Sequence, residues 1–393
     1  MKILTLSASF VLFLALLAIS FNACRPVRNM THPPAPWSGD SYVQSPTPAH
    51  QAGKKNIFII ADAATTVLFD MLAPFYLFNA TGNANVYIIA KDNTPILVKR
   101  DLFVCPQITF AQADSLQLHA DVIVVPALSK RDEQQDTTVV NWIKTHFSGQ
   151  TKLLAICDGA STAAATGLYD GKPLTCHASD YANLKQHFSK PEWVQNLAVT
   201  KSGNLYSTAG VSNAVEGSLR VISDVFDTQT MQKVLKGIAY PAAAIKTGHN
   251  SIALSGSNKF TVVKKILFRK NRKIALLIED GIDEFELACI TETYGRTLPA
   301  CLSVINLNSS SIHTKYGLSL LTTVDHSRGG FDELHVPFAR LLSAQEQAFF
   351  RNTAIVHYEG APQQYLIDVC LQRIAMHYGS RFRDFVKISL DYN

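Results

Sequence analysis

Asn56-Ile57-Phe58-Ile59-Ile60-Ala61 is a nearly unbroken apolar run of strand length, and it limits what this chain can become. A strand without polar alternation must be buried on both faces, as in a parallel sheet covered by helices. Runs of the same kind recur at residues 86–90, 121–126 and 152–157. Helical patterns separate them at 66–78, 136–147 and 160–167. Strands alternating with helices predict an α/β fold with a parallel central sheet. Residues 197–208 differ: two alternating stretches flank Lys201-Ser202-Gly203-Asn204, which predicts a hairpin, and a helix over 212–226 closes the unit.

A second beginning lies further on. Residues 273–280 repeat the opening strand, 283–294 repeat the opening helix, and 332–337 rewrite 121–126. The repeat predicts a tandem duplication, with one domain over 56–245, a linker over 246–272 and a second copy over 273–393. A length of 393 residues accommodates this, at roughly 100–200 residues per domain. The charge balance, 36 Lys and Arg against 31 Asp and Glu, leaves a net of +5. That excess is too slight and too scattered to point to nucleic acid, so no nucleic-acid partner is expected.

Met1 and Lys2 precede an uncharged apolar run from Ile3 to Phe21, followed by Asn22, Ala23 and Cys24. A basic start, an apolar stretch and a small residue describe an export signal over residues 1–23. The Cys directly after Ala23 makes the segment resemble a bacterial lipoprotein signal. That resemblance implies cleavage before Cys24, lipidation of its sulfur and a body anchored in the cell envelope outside the cytoplasm. The length of the run leaves an uncleaved membrane helix open as the alternative. Residues 24–55 are rich in proline, and they predict a semi-extended tether holding the body off the membrane. The remaining cysteines, Cys105, Cys157, Cys176, Cys289, Cys301 and Cys370, are irregularly spaced with no CxxC pair. Most therefore read as buried apolar residues, and no metal site is expected.

Cys157 is the exception. In Leu154-Ala155-Ile156-Cys157-Asp158-Gly159-Ala160 a buried strand runs straight into a helix of small residues. Such a sharp turn exposes a nucleophile, Gly159 permits close packing, and the helix N-terminus is expected to favour the reactive thiolate. Asp158 is expected either to cap the helix or to serve as a second acid.

Cys157-Asp158-Gly159-Ala160, Ala165-Thr166-Gly167-Leu168-Tyr169-Asp170-Gly171, Thr175-Cys176-His177 and Tyr206-Ser207-Thr208-Ala209-Gly210-Val211-Ser212 together resemble the DJ-1/PfpI family. This family lies within the class I glutamine amidotransferase-like superfamily. The similar branch contains isonitrile hydratases and domains that precede AraC-type DNA-binding modules. The resemblance implies a flavodoxin-like sheet and an elbow Cys paired with an acid from the first strand–helix region. Phe69-Asp70-Met71-Leu72-Ala73-Pro74 matches that acidic pattern with Ala73 in place of Gly, which makes Asp70 the carried-over acid. His177 is the implied base or charge partner. The main-chain N–H groups of Asp158 and Gly159 are the expected oxyanion donors. Cys176 stands where relatives commonly carry Thr.

In the second copy Glu286 occupies the position equivalent to Asp70, but no Cys-x-Gly elbow follows. The copy is expected to be structural, pairing with the first in place of the family's dimer, with a homodimer also open. The functional expectation is a cysteine-centred hydration or hydrolysis of a small electrophile, without cofactor or metal. A non-catalytic ligand-binding or thiol redox-sensing module is the alternative.

Overall fold

The structure, a computed structural model, describes the chain except for residues 1–25, 29–33, 40–41, 43–44, 129–134, 308, 310, 324–329, 338–340, 359–362 and 393. Strand β1 (Lys55–Ile60) lies between β2 (Ala84–Ala90) and β6 (Val122–Val125). Strands β7 (Lys152–Ala155) and β11 (Leu205–Thr208) continue the sheet, with β5 (Ile108–Thr109) and β10 (Val199–Ser202) at its edges. The parallel strands follow the order β2-β1-β6-β7-β11, the doubly wound arrangement of flavodoxin-like folds. The expected hairpin is present as β10–β11, paired antiparallel from Val199–Thr208 to Ser202–Leu205.

Alternate residues of the apolar runs supply two layers. Ile57, Ile59, Val122 and Val124 pack with α1 (Leu68–Asn79) and α6 (Ala214–Val225), while Phe58, Ile60, Ile123 and Val125 pack with α3 (Thr137–His146) and α4 (Gly159–Ala165). An apolar run without alternation is what a two-sided core needs. Smaller elements complete this half: α2 (Phe110–Ser115), β8 (Pro173–Leu174), α5 (Tyr181–His187), β9 (Glu192–Trp193) and α7 (Thr228–Gly237).

The second half has a four-stranded parallel sheet from β12 (Lys273–Leu277), β13 (Cys301–Ile305), β16 (Glu333–Val336) and β17 (Ala354–His357). Its order, β13-β12-β16-β17, reproduces β2-β1-β6-β7. Helices α9 (Glu284–Gly295), α10 (Ala344–Phe349), α11 (Leu366–Tyr378) and α12 (Ser380–Leu390) accompany it. Its interior is unusually polar. Glu333 pairs with Arg272, with Arg373 at 3.3 Å and with His335 at 3.2 Å. Burial works to raise the Glu333 carboxyl, but these partners outweigh it and hold the group down at about 2.

Like elements meet across the join, as a two-fold arrangement would have them. Helix α1 packs on α9, with Phe69 and Phe285 rings 6.0 Å apart and Tyr76 and Phe285 rings 5.6 Å apart. The hairpin of β3 (Ile96–Lys99) and β4 (Leu102–Val104) joins that of β14 (Ser311–His313) and β15 (Ser319–Thr322) through antiparallel β4–β15 pairing. These hairpins did not stand out in the sequence, because strands of three or four residues carry little periodicity.

Two expectations need correction. Residues 246–272 are no loose linker. Gly248 bridges Leu197, the Thr247 carbonyl accepts the Ala198 N–H at 3.0 Å, and α8 (Gly256–Phe268) occupies the rest. Among its described residues the proline-rich segment is helical at 26–28 and irregular over 34–39 and 45–50, and parts of it are laid on the protein. Trp37 stacks edge-on against Phe103 at 5.2 Å. Ser45 donates to the Cys105 carbonyl at 2.9 Å and accepts the Ser319 N–H at 3.0 Å, tying both halves together.

Phe285 is buried against Phe69, Tyr76 and Tyr365. We expect Phe285→Ala to cost about 3–5 kcal/mol in chemical denaturation. Because one interface joins the halves, native protein should unfold in a single transition followed alike by fluorescence and circular dichroism. Two separated transitions would contradict the shared core.

Candidate active site

Ile156 ends the β7 run and Gly159 opens α4, so the chain must turn within two residues. Cys157 makes that turn at a left-handed φ of 54°, an unfavourable conformation for a residue with a Cβ. Gly159 is required there: a Cβ would sit 2.1 Å from the Val125 carbonyl oxygen. Cys157 donates its N–H to Thr208 Oγ1 at 3.4 Å, which fixes the elbow against the end of β11. The strained turn and the close packing at Gly159 were both expected from the sequence.

The thiol's electrostatics were not. Cys157 is 4% exposed. Burial raises its thiol well above the ordinary value, the carboxyls of Asp158 and Asp70 push the same way, and the Asp158 N–H and Arg296 oppose them only in part. Helix α4 has seven residues, so its positive end is weak against complete desolvation. The thiol is therefore held neutral in this arrangement, contrary to the expected thiolate.

Asp70 lies in the first turn of α1 and is fully buried. Its Oδ2 accepts the Ala127 N–H at 3.2 Å, and Oδ1 has no hydrogen-bond partner among the described residues. Burial raises this carboxyl well above the usual range despite the Ala127 bond, and the charges of Glu292 and Asp158 add to the rise. The structure thus brings Asp70 and Cys157 into mutual electrostatic reach, both favouring their protonated forms.

Other expected roles change. Asp158 stands at the N-cap position of α4 but makes no side-chain cap bond. The Gly159 N–H donates to the Ile156 carbonyl at 2.8 Å, so the turn itself uses one expected oxyanion donor. His177 is 8% exposed and its Nδ1 accepts the Ser179 N–H at 3.2 Å. Burial lowers its basicity, opposed only in part by the charge of Asp391 and the main chain of Ser389. His177 is thus engaged by the C-terminal segment. Cys176 packs in the opposite layer from Cys157, and both carry free thiols, so these two form no disulfide. Cys24 lies outside the described residues, and among those described no cluster of His, Cys, Asp and Glu could hold a metal ion. In the second half, the charge of Glu286 acts on Cys289 and Cys370 in the buried core.

The second half supplies groups that the sequence did not single out. Arg296, at the end of α9, acts on Cys157, Asp70 and His177. It is positioned by Glu292 at 2.9 Å, which also binds Lys99 of the first half at 3.0 Å. The C-terminal segment seals the rim beyond Thr208. Ser212 Oγ donates to the Asp391 carbonyl at 3.0 Å, and His249 Nε2 meets Asp391 Oδ1 at 2.8 Å, with both side chains buried. A Cβ on Gly210 would fall 2.1 Å from the Asp391 Cβ. No local signal could have joined His249 to a residue 142 positions away.

A doubly wound sheet, a left-handed Cys at a strand-to-helix turn and a buried carboxyl beside it define the class of nucleophile-elbow α/β proteins. Residues 54–224 match the DJ-1/PfpI family, and this part of the chain is a DJ-1/PfpI domain. It is 28% identical over 141 residues to protein dj-1beta of Drosophila melanogaster, covering 35% of this chain and 73% of that protein. It is 24% identical over 188 residues to an isonitrile hydratase of Pseudomonas putida, covering 47% and 79%. The crystal structure of the Drosophila protein superposes with a TM-score of 0.42 at 23% identity, covering 47% of this chain and 97% of that one.

An unperturbed Cys thiol titrates near about 8.5. We expect the pH midpoint of Cys157 alkylation to lie above that value, to fall in Asp70→Asn and to rise in Arg296→Gln. A native midpoint below the unperturbed value would contradict the neutral-thiol assignment. Asp391→Ala, which strips His249 of its buried partner, should cost about 2–3 kcal/mol in chemical denaturation. An unchanged stability would place that contact outside the folded core.

Proposed function

We propose that the first half hydrates or hydrolyses a small, neutral molecule carrying a polarised carbon–nitrogen or carbon–oxygen multiple bond. The observation that carries this reading is the fully buried Asp70 carboxyl, its Oδ1 without a partner among the described residues, close to a buried Cys157 on a strained elbow, where desolvation raises both groups and favours their protonated forms. A neutral acid–thiol pair suits a neutral substrate, because it can deliver a proton while sulfur attacks. In the first step Asp70 gives its proton to the substrate and the Cys157 sulfur bonds to the electrophilic carbon. The thiol proton passes back to the Asp70 carboxylate. Water then adds at that carbon and the carbon–sulfur bond breaks. The sulfur regains a proton, so the net change is addition of one water. The Asp158 N–H, directed at the sulfur, helps hold charge that develops there.

The likeness to an isonitrile hydratase supports the same chemical class. We read the second half as a copy that takes a dimer partner's place, supplying Arg296 to the site. We further read residues 1–23 as an export signal and Cys24 as a lipid anchor, placing the body at the cell envelope. Among the described residues no helix is long and apolar enough to cross a membrane. A non-catalytic ligand pocket is the second reading, favoured by the thiol's burial. A redox sensor fits less well, since such cysteines are exposed and acidic.

The test is turnover of a panel of small isonitriles, nitriles and aldehydes by the full chain, followed by product analysis. We expect a hydrated product, with losses of at least about 100-fold in Cys157→Ser and Asp70→Asn. Turnover indifferent to both substitutions would overturn the mechanism. Binding without turnover, equal in native protein and variants, would establish the ligand-pocket reading instead.

A further inference from the structure

Helix α8 buries Ile266 and packs Val262 on the core, yet it also turns apolar residues outward. Lys259, Phe260, Val263, Lys264, Leu267 and Phe268 fall at helical spacing on one face. That face looks outward: Phe260 is 69%, Val263 50% and Phe268 65% exposed. The inward face holds a lysine. Lys265 is buried, donating to Asn271 Oδ1 and the Leu298 carbonyl at 2.9 Å each, under the rings of Tyr378 and Phe382. A helix serving only its own core would place these residues the other way round.

Charge identifies what the outward face meets. Between Asp227 and Glu279 the sequence contains no carboxylate and ten lysines or arginines. The small net charge of the whole chain conceals this tract, so the basic residues are not evenly scattered. Lys270 and Arg272 of this tract pair with Asp332 and Glu333, whereas Lys259 and Lys264 flank the outward apolar side chains, a pattern that matches an anionic lipid surface.

The start of the described chain points to the same place. Pro26 lines a cleft with Leu298 and Pro299, and the Leu298 carbonyl is the one that accepts from Lys265 of α8. Cys24 stands two residues before Pro26, within about 7 Å of chain. Trp37 and Ser45 of the proline-rich segment lie on the protein, so, on the lipid anchoring of Cys24 proposed above, the body sits close to the surface.

We propose that the outward face of α8 is a membrane-contact element that seats this protein on anionic lipid, with Phe260, Val263 and Phe268 entering the interface and Lys259 and Lys264 meeting phosphate headgroups. The contact does not depend on what Cys157 does.

The experiment puts Phe260→Trp into the full chain and mixes it with vesicles of phosphatidylglycerol whose acyl chains are brominated. Phe268→Trp serves as a second probe should the first variant fold poorly. We expect the added tryptophan to shift to the blue and to be quenched, relative to native protein, on anionic vesicles. Replacing Lys259 and Lys264 by Gln should weaken that quenching by about five-fold in lipid concentration per lysine. Absence of quenching for both probes while the protein sediments with vesicles would overturn the proposal. So would a blue shift that follows protein concentration without lipid, which would mark a second copy as the occupant, or one that requires added duplex DNA.

Discussion

The packing of α1 on α9 is the contact on which the other features depend. It closes the core between two sheets of the same strand order and sets Phe69 against Phe285. Asp70, the next residue of α1, is thereby buried beneath the second half. The same contact carries Glu292 and Arg296 of α9 toward the first half's cysteine. Stability and site chemistry therefore share one interface, and the second half acts on the site although its sequence carries no Cys-x-Gly after β17.

Desolvation sets the character of that site. A thiol at a helix N-terminus is often acidic because the helix end and solvent both favour thiolate. Here the helix is short, solvent is excluded, and two carboxyls face the sulfur. Loss of hydration outweighs the helix dipole, and the pair rests with its protons on. Such a pair cannot attack by simple thiolate addition. Proton transfer must accompany bond formation, which makes Asp70 as necessary as the cysteine.

Much of the fold was legible because the apolar runs are continuous: residues 57–60 and 122–125 call for burial on two sides, as in a parallel sheet between helices. The elbow was legible because Cys157 and Gly159 sit between a buried strand and a run of alanines. The cross-half sheet was not, since β4 and β15 gain their meaning from pairing across more than 200 residues. The engagement of His177 with the C-terminal segment and the contact of His249 with Asp391 were hidden for the same reason. The thiol's protonation was misjudged because sequence shows the helix that follows Cys157 but not the water that is missing around it. Helix α8 was passed over as linker because several of its apolar residues face outward, so its pattern does not describe a core.

The most direct test of the neutral acid–thiol pair is difference infrared spectroscopy of the full chain at neutral pH. The structure predicts a protonated-carboxyl C=O band lost in Asp70→Asn and an S–H stretch lost in Cys157→Ser. A spectrum in which Asp70 contributes only carboxylate bands and Cys157 shows no S–H stretch would contradict it.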